Sequence, residues 1–454
     1  MKRYNKGSAW LVIVLVVMSI DVFVASSIQA AGNIYYTATY GNDNNSCDAA
    51  RDINTPKRNL MGTDGGIACM QTPGDKLLIR EGAYAESINN YTAPYSWPSG
   101  TGWDNAFTVA AYPGEIVTVF SIGIATDDNL YLSYWIFDGL HVEAIWTRSP
   151  DHLRFINMEV TTGGRTSDNC VLGGGNFIEF INVEVHHCGD PTVGPQSGAS
   201  LAAYGFYWTG SDSLFDHVKL HDTTGYGFHI YSSVCDADAG NCPSRNTVSY
   251  SEIYNTGTLQ GSAGILFAYG DSNQAYKNII RNNDGGIAIG YGASNTQIYN
   301  NTIYGNTYEG ISNGAGWASK PNSNTVIKNN IVANNRGYGI LNSAAGTPQG
   351  EPLGTVIGDN ILFNNAYGGI LDTGIDTVNL GNLTADPEFV DAGANDFRLQ
   401  STSPAIAINA GAILDVGTSS GTSSGTSSGT SSGTSSGDGS AQTVSKKGQG
   451  KTKR

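Results

Sequence analysis

The chain carries little charge. Lys, Arg, Asp and Glu make up 14% of its 454 residues, against about 25% in ordinary soluble domains. Strong helix formers are sparse, which disfavours long helices. No Cys-x-x-Cys occurs, so zinc-ribbon and thioredoxin-like readings have no support. P-loop, dinucleotide Gly fingerprint and His-Glu-x-x-His are missing, and Gly-x-Ser-x-Gly occurs only inside the low-complexity Thr-Ser-Ser-Gly repeats that start at Gly417, without the strand and helix that a nucleophile elbow needs. Nucleotide binding and zinc proteolysis therefore lack their motifs, and serine hydrolysis lacks its context. The apolar run from Trp10 to Ile20 is interrupted by Asp21 and falls short of the ~20 residues that span a bilayer.

What is present is glycine, 59 residues of it, together with abundant Asn. Such a composition favours many short strands joined by tight turns. Lys2, Arg3 and Lys6 precede the apolar run, and small residues follow around Ala25 and Ala30. This is the layout of a secretory signal, expected over residues 1–31, with an uncleaved anchor as the alternative. Residues 418–437 repeat Thr-Ser-Ser-Gly five times and lead to Lys446, Lys447, Lys451, Lys453 and Arg454. We expect a disordered linker and basic tail over 413–454.

The formal net charge is −15. Both ends are cationic, so the middle of the chain is more acidic than the total. An acidic body repels polyanions, and nucleic acid is not expected as a partner of the folded part. Six cysteines follow the expected signal, and an even count in an exported chain points to disulfides. Of the possible pairings we expect the local ones, Cys47–Cys69, Cys170–Cys188 and Cys235–Cys242.

An internal repeat organises the middle. Asn278-Ile279-Ile280, Asn301-Thr302-Ile303, Asn330-Ile331-Val332 and Asn360-Ile361-Leu362 each lead to a Gly-Ile pair: Gly286-Ile287, Gly310-Ile311, Gly339-Ile340 and Gly369-Ile370. Gly264-Ile265, Gly227-Phe228 and Gly205-Phe206 extend the series backwards. Apolar anchors at Val160, Val185, Leu220, Ile253, Ile280, Ile303, Ile331 and Ile361 recur about every 23 to 35 residues, the period of a solenoid coil. One coil cannot bury its own apolar face, whereas stacked coils bury a continuous column. The expected fold is all-β, a right-handed parallel β-helix of about ten coils. Asn283, Asn306, Asn334 and Asn364 are expected to form a hydrogen-bonded ladder along one turn.

These repeats resemble those of the pectate-lyase-like superfamily of right-handed parallel β-helices. So do the opening, Gly41-Asn42-Asp43 and Pro73-Gly74-Asp75, and the end, Asp386-Pro387-Glu388-Phe389 and Ser403-Pro404-Ala405. The resemblance spans about residues 34–412. It implies a cap over 32–74, and a solenoid over 75–412 whose closing segment seals the last coil. It does not specify an activity. The Asn-Thr-Asp and Gly-His-Gly of polygalacturonase-like hydrolases are absent, and Ser149-Pro150-Asp151-His152 is the wrong order for the Asp-Pro-His of mannuronan epimerases.

Polysaccharide-active members imply a groove on an exposed strand face. The residues after the inward anchors are Thr161, His186, His221, Tyr254, Arg281, Tyr304, Val332 and Leu362. We expect His186, His187 and Tyr304 to contact a glycan. His221 or His229 would serve as general base, with Asp222 orienting an imidazole. Tyr254 would stack or donate a proton, and Arg281 would stabilise charge. Asp212, Asp216 and Asp222 are candidates for paired carboxylates. Asp236, Asp238 and Asp271 are candidate oxygen donors for Ca²⁺, no cofactor being certain. The expectation is a secreted or extracytoplasmic monomer that binds extracellular polysaccharide and processes it as a lyase, hydrolase or epimerase. The alternative is a non-catalytic surface or matrix rod.

Overall fold

The computed structural model describes residues 32–126, 132–164, 169–192, 202–235, 242–258, 262–315, 320–344 and 350–412. The expected signal and tail lie outside them. Among the described residues, parallel strands wind into a right-handed solenoid with three faces. The first face is one sheet of thirteen strands, from Ile34–Thr37 through Lys76–Ile79 to Val378–Leu380. The other two faces begin fused in the long strands Gly82–Asn89, Val117–Ala125 and Leu140–Arg148. They then divide. Glu159–Thr161 continues the second face from His141 and Val142, and Val171–Gly173 continues the third from Ile145 onward. The second face ends at Ile361–Phe363 and the third at Gly368–Asp372.

Corners rather than strands show why this sequence winds. Between the first and second faces one residue per coil adopts positive φ: Asn157, Asn182, His217, Tyr250, Lys277, Asn300, Asn329 and Asp359. Between the second and third faces the series is His187, Asp222, Asn255, Asn282, Gly305, Asn334 and Asn364. Asn, Asp and Gly dominate because a short polar side chain, or none, tolerates the left-handed region.

The residue after each corner turns inward, and there the chain stacks amides. At the first corner Asn278, Asn301, Asn330, Asn360 and Asn382 form a ladder. Each Nδ2 donates to the next Oδ1 at 2.8–3.0 Å. At the second corner the ladder is Asn283, Asn306, Asn335 and Asn365, with Nδ2–Oδ1 distances of 2.9 Å from Asn306 and Asn335 and a backbone link of 2.9 Å from Asn283 N to Asn306 Oδ1. This corrects the expected membership. Asn334 and Asn364 are left-handed corner residues that bond to each other, Asn364 Nδ2 donating to Asn334 Oδ1 at 2.5 Å, while their neighbours Asn335 and Asn365 carry the inward rungs.

The same one-residue slip affects the anchors. In the register of the second face, Val160, Val185, Leu220, Ile253, Ile280, Ile303, Val332 and Leu362 share the inward column. Ile331 and Ile361 lie outward, paired with Thr302 and with each other. They are buried nonetheless because the closing segment covers them: Leu399, Ala405 and Ala410 pack with Ile331, Ala333 and Ile361. Asn329 Nδ2 donates to the Ile408 carbonyl at 2.6 Å, and Gly411 N donates to the Asn329 carbonyl at 2.9 Å. The segment therefore runs back along the flank and does not seal the last coil. Val378 and Leu380 stay 45% and 55% exposed.

The core changes character along the axis. Phe137, Phe155, Phe180 and Phe215 stack inside the first face at 4.8–5.4 Å, followed in register by Val248, Ala275, Ile298, Ile327 and Ile357. The Asn–Ile repeat marks only the aliphatic half. This is why the first face holds more strands than the ten coils expected from the repeat. Disulfides join Cys47–Cys69, Cys170–Cys188 and Cys235–Cys242, with Cα separations of 5.4, 5.6 and 5.2 Å. Cys188 follows the His187 corner and so occupies a ladder position.

The ladder register can be tested. Asn335→Ala removes the acceptor for two buried donors on Asn306, at roughly 1–3 kcal/mol each. Asn334→Ala costs the left-handed preference, about 1 kcal/mol, and one solvent-exposed hydrogen bond from Asn364 Nδ2, which water can replace. Calorimetric melting should therefore fall much further for Asn335→Ala; equal losses would return the ladder to the other column.

Candidate functional site

The second face carries two outward columns. One reads Thr161, His186, His221, Tyr254, Arg281 and Tyr304, and the other reads His141, Glu159, Glu184, Lys219, Glu252 and Ile279. Parallel pairing puts equivalent side chains ~4.8 Å apart, so flat groups stack. The His186 and His221 rings lie 5.1 Å apart at 6°, and His221 and Tyr254 lie 4.7 Å apart at 7°. The Arg281 guanidinium sits 4.1 Å from the centre of the Tyr254 ring, a cation–π arrangement. Four of the expected residues thus form one continuous stack.

Carboxylates of the neighbouring column answer this stack. Glu159 lies 2.6 Å from His141 Nδ1 and 2.9 Å from His186 Nε2. Glu184 accepts from Lys219 Nζ at 2.7 Å and lies 3.1 Å from His221 Nε2. Glu252 accepts from Arg281 Nε and Nη2 at 3.0 and 2.8 Å. The Lys219 hydrogen bond is the main reason that the Glu184 carboxyl lies below its ordinary value; burial opposes it and His221 adds to it. Burial raises the Tyr254 phenol above its ordinary value.

His221 is the most enclosed member. Its Nδ1 is 2.8 Å from Asp222 and its Nε2 faces Glu184. Both ring nitrogens are thus within hydrogen-bond distance of a carboxylate. Asp222 stands at the corner, also 3.1 Å from Asn255 Nδ2 and 4.0 Å from His187 Nε2. Burial pushes its carboxyl up, but the bonds from His221 and Asn255 outweigh this and hold it below its ordinary value. His187 is exposed at the same corner, its Nδ1 2.6 Å from that of His186.

Two expected residues lie elsewhere. Tyr304 continues the register, but its ring packs on Phe389 and Phe397 at 6.1 and 5.2 Å, under the closing segment. His229 is not on this line at all. The chain turns the corner at Asp222 before reaching it, and His229 pairs with Tyr207 and Leu266 on the third face. There it is surrounded by Tyr204, Tyr207, Tyr226 and Tyr231, with ring centres 4.7–5.0 Å away. The expected readings missed this tyrosine cluster. The signal was available in Tyr204-Gly205-Phe206 and Tyr226-Gly227-Phe228, where a Tyr precedes each Gly-Phe anchor.

Among the described residues no three His, Cys, Asp or Glu side chains gather as a metal site. Asp236 and Asp238 lie outside those residues. The Asp271 carboxylate accepts from Ser272 at 2.7 Å, Ser294 at 2.8 Å and Asn295 at 2.5 Å. Its oxygens are thus engaged within the protein. Asp212 pairs with Arg245 at 2.6 Å and Asp216 with His217 at 2.7 Å. Neither carboxylate faces the stack.

Comparison with known proteins agrees with the fold. The family model for a right-handed beta helix region matches residues 169–384, in agreement with the right-handed parallel β-helix fold of the chain. No curated protein matches the chain by sequence. The pectate lyase Pel9A superposes with a TM-score of 0.50 at 16% identity, over 83% of this chain and 91% of its own. A GH136 lacto-N-biosidase from Eubacterium ramulus gives 0.47 at 11%, over 78% of this chain and 68% of its own. The periplasmic alginate epimerase AlgG gives 0.36 at 9%, over 66% and 84%. At such identities the likeness is one of fold.

The tyrosine cage has a measurable consequence. Burial lowers the His229 pKa from 6.5 to about 4. Above 6.5 folded and unfolded chains are both neutral at this site. As pH falls from 6.5 to about 4 the unfolded chain takes up a proton that the folded chain refuses, so stability is lost. The loss levels off below that window at roughly 3 kcal/mol. Melting curves of His229→Phe, compared with wild type, should lose less stability across this window; superimposable pH profiles would mean the imidazole is not buried neutral.

Proposed function

We propose that this protein is an extracytoplasmic polysaccharide-binding β-helix whose second face supplies the binding surface. The observation that carries this reading is the continuous stack from His186 through His221 and Tyr254 to Arg281, flat and outward, with each rung one coil spacing from the next. A glycan chain lying along the solenoid axis meets aromatic and guanidinium faces repeatedly, while the Glu and Asp oxygens beside them accept sugar hydroxyls. The names of proteins with similar folds, a pectate lyase, an alginate epimerase and a lacto-N-biosidase, are consistent with a carbohydrate partner.

Two further features support an extracytoplasmic location. Three disulfides suit an oxidising compartment, and the first 31 residues have the layout of an export signal. Among the described residues no helix is long and apolar enough to cross a membrane. We read 32–74 as the cap, 75–412 as the solenoid and the remainder as a tether.

Binding is favoured over bond cleavage because the charged groups already answer one another. Both His221 nitrogens are already engaged by Asp222 and Glu184, so a substrate would have to displace one of them to reach the ring. Arg281 is likewise engaged by Glu252 and Tyr254.

Affinity electrophoresis through gels containing pectate, alginate or neutral glucans tests this. Tyr254→Ala and Arg281→Ala should each weaken retention by the retarding polymer roughly 3- to 10-fold, the range of one lost stacking contact. Unchanged retention in both variants would make the stripe an ordinary solvated face. Release of unsaturated products or new reducing ends by wild type, lost in Tyr254→Ala, would replace binding by catalysis.

A further inference from the structure

The third face holds a hollow that the stripe does not use. Along its outward column Leu266 is followed by Ala288, Ser312 and Leu341. Two small side chains between two leucines leave a depression two coils wide. Tyr226 and Tyr308 line it, with Glu309 and Ser262 among the other lining residues, and its volume is about 190 Å³. That is below the ~300–1,000 Å³ of sites for drug-sized ligands, so it admits one ring rather than several.

The Tyr308 side is fixed before any ligand arrives. Tyr308 N donates to the Asp284 carbonyl at 2.7 Å, and Gly337 N donates to the Tyr308 carbonyl at 3.1 Å. A preformed site avoids the entropy cost of ordering its loops on binding. The polar groups differ in kind from those of the second face. There every carboxylate described has a cationic or imidazole partner. Here Glu309 lines the hollow, and among the described residues no Lys, Arg or His pairs with it. Ser262 Oγ has no hydrogen-bond partner, although buried. Close by, the Asp284 carboxylate accepts from Ser262 N at 2.9 Å. With Asp284 behind Ser262 and no cation in the lining, the hollow repels an acidic ligand, and Glu309 can accept hydroxyl hydrogens.

We propose that the hollow between Tyr226 and Tyr308 on the third face binds a single neutral sugar ring, as a site separate from the second-face stripe. The two tyrosines flank the ring, Ala288 and Ser312 form the floor, and Glu309 accepts hydroxyl hydrogen bonds. Uronates are excluded by charge. The site adds a neutral residue, such as a side branch or chain end, to what the protein recognises.

Saturation-transfer NMR on the full chain tests this with methyl β-D-glucopyranoside, methyl β-D-galactopyranoside and the acidic methyl galactosiduronate. Wild type should transfer saturation to at least one neutral glycoside and not to the uronate. Ala288→Leu fills the hollow from the solvent side, and Tyr308→Ala removes one flank. Each should reduce transfer about fivefold or more, the effect of losing ~1 kcal/mol of contact, with circular dichroism unchanged. Arg281→Ala should leave this signal intact, which separates the hollow from the stripe whether or not the stripe binds polymer. Equal transfer to the uronate, retention of the signal in both hollow variants, or no transfer to either neutral glycoside overturns the proposal.

Discussion

A buried amide needs partners for its donors and its acceptor, and the two asparagine ladders meet that need coil by coil. In the first, Asn330 Nδ2 donates to Asn360 Oδ1 and to the Ile298 carbonyl, while its Oδ1 accepts from both the backbone N and the Nδ2 of Asn301. No rung is satisfied without the coils above and below it. The ladder therefore fixes the axial position of each coil as well as filling its corner. Because a side chain's face depends on register to the single residue, this locking also decides what each face shows to solvent. The His186–Arg281 stack and the Ala288–Ser312 hollow are both products of corners held in phase.

In-register stacking has an electrostatic cost that the sequence manages visibly. Parallel coils bring like residues together: Glu159 beside Glu184, and His186 beside His221. The sequence follows two glutamates with Lys219 in one column and sets imidazoles, a phenol and a guanidinium beside them in the other. Each of these glutamates thus gains a partner, along the column for Glu159 with His141 and Glu184 with Lys219, and across it to His186, His221 and, for Glu252, Arg281. Such surface pairs are worth little individually, about 0–1 kcal/mol. Their effect is to hold long side chains in one geometry, which lowers the ordering cost of receiving an extended polymer.

Much of this was legible in the chain. Asn followed by apolar pairs, in phase with Gly-Ile, is enough for the solenoid, and local cysteine spacing is enough for the three bridges. The stripe from His186 to Arg281 was legible because its anchors Val185, Leu220 and Ile253 are each flanked by polar or aromatic residues that reveal inside from outside, and Ile280 is followed by Arg281. At Asn330-Ile331-Val332 and Asn360-Ile361-Leu362 that contrast disappears. Both apolar residues are buried, one by the core and one by a segment arriving from beyond residue 386. Local patterning cannot distinguish the two kinds of burial, so the anchors and the ladder slipped together by one position. His229 failed differently. Its Phe-His-Ile setting reads correctly as in, out, in, yet nothing local says which of three faces it belongs to.

The two ends of the rod show how a repeat that could continue is made to stop. At the start, Lys57 pairs with Thr37 at the edge of the first strand, and Leu60, Ile67 and the Cys47–Cys69 bridge lie over the opening coil. At the far end the flanking segment leaves the last coil open, and termination comes from the coil itself. The inward column of the first face runs through Ile298, Ile327 and Ile357 and then reaches Asn379, whose Oδ1 accepts from Asn382 Nδ2 at 2.8 Å. A polar residue in the core column withdraws the apolar template that a further coil would need, and an edge strand of only three residues, Val378–Leu380, offers little backbone to pair with. Aspartates at 372 and 376 add like charge around the same rim, which opposes the approach of a second identical end. The solenoid is thus covered at its first coil and made a poor template at its last.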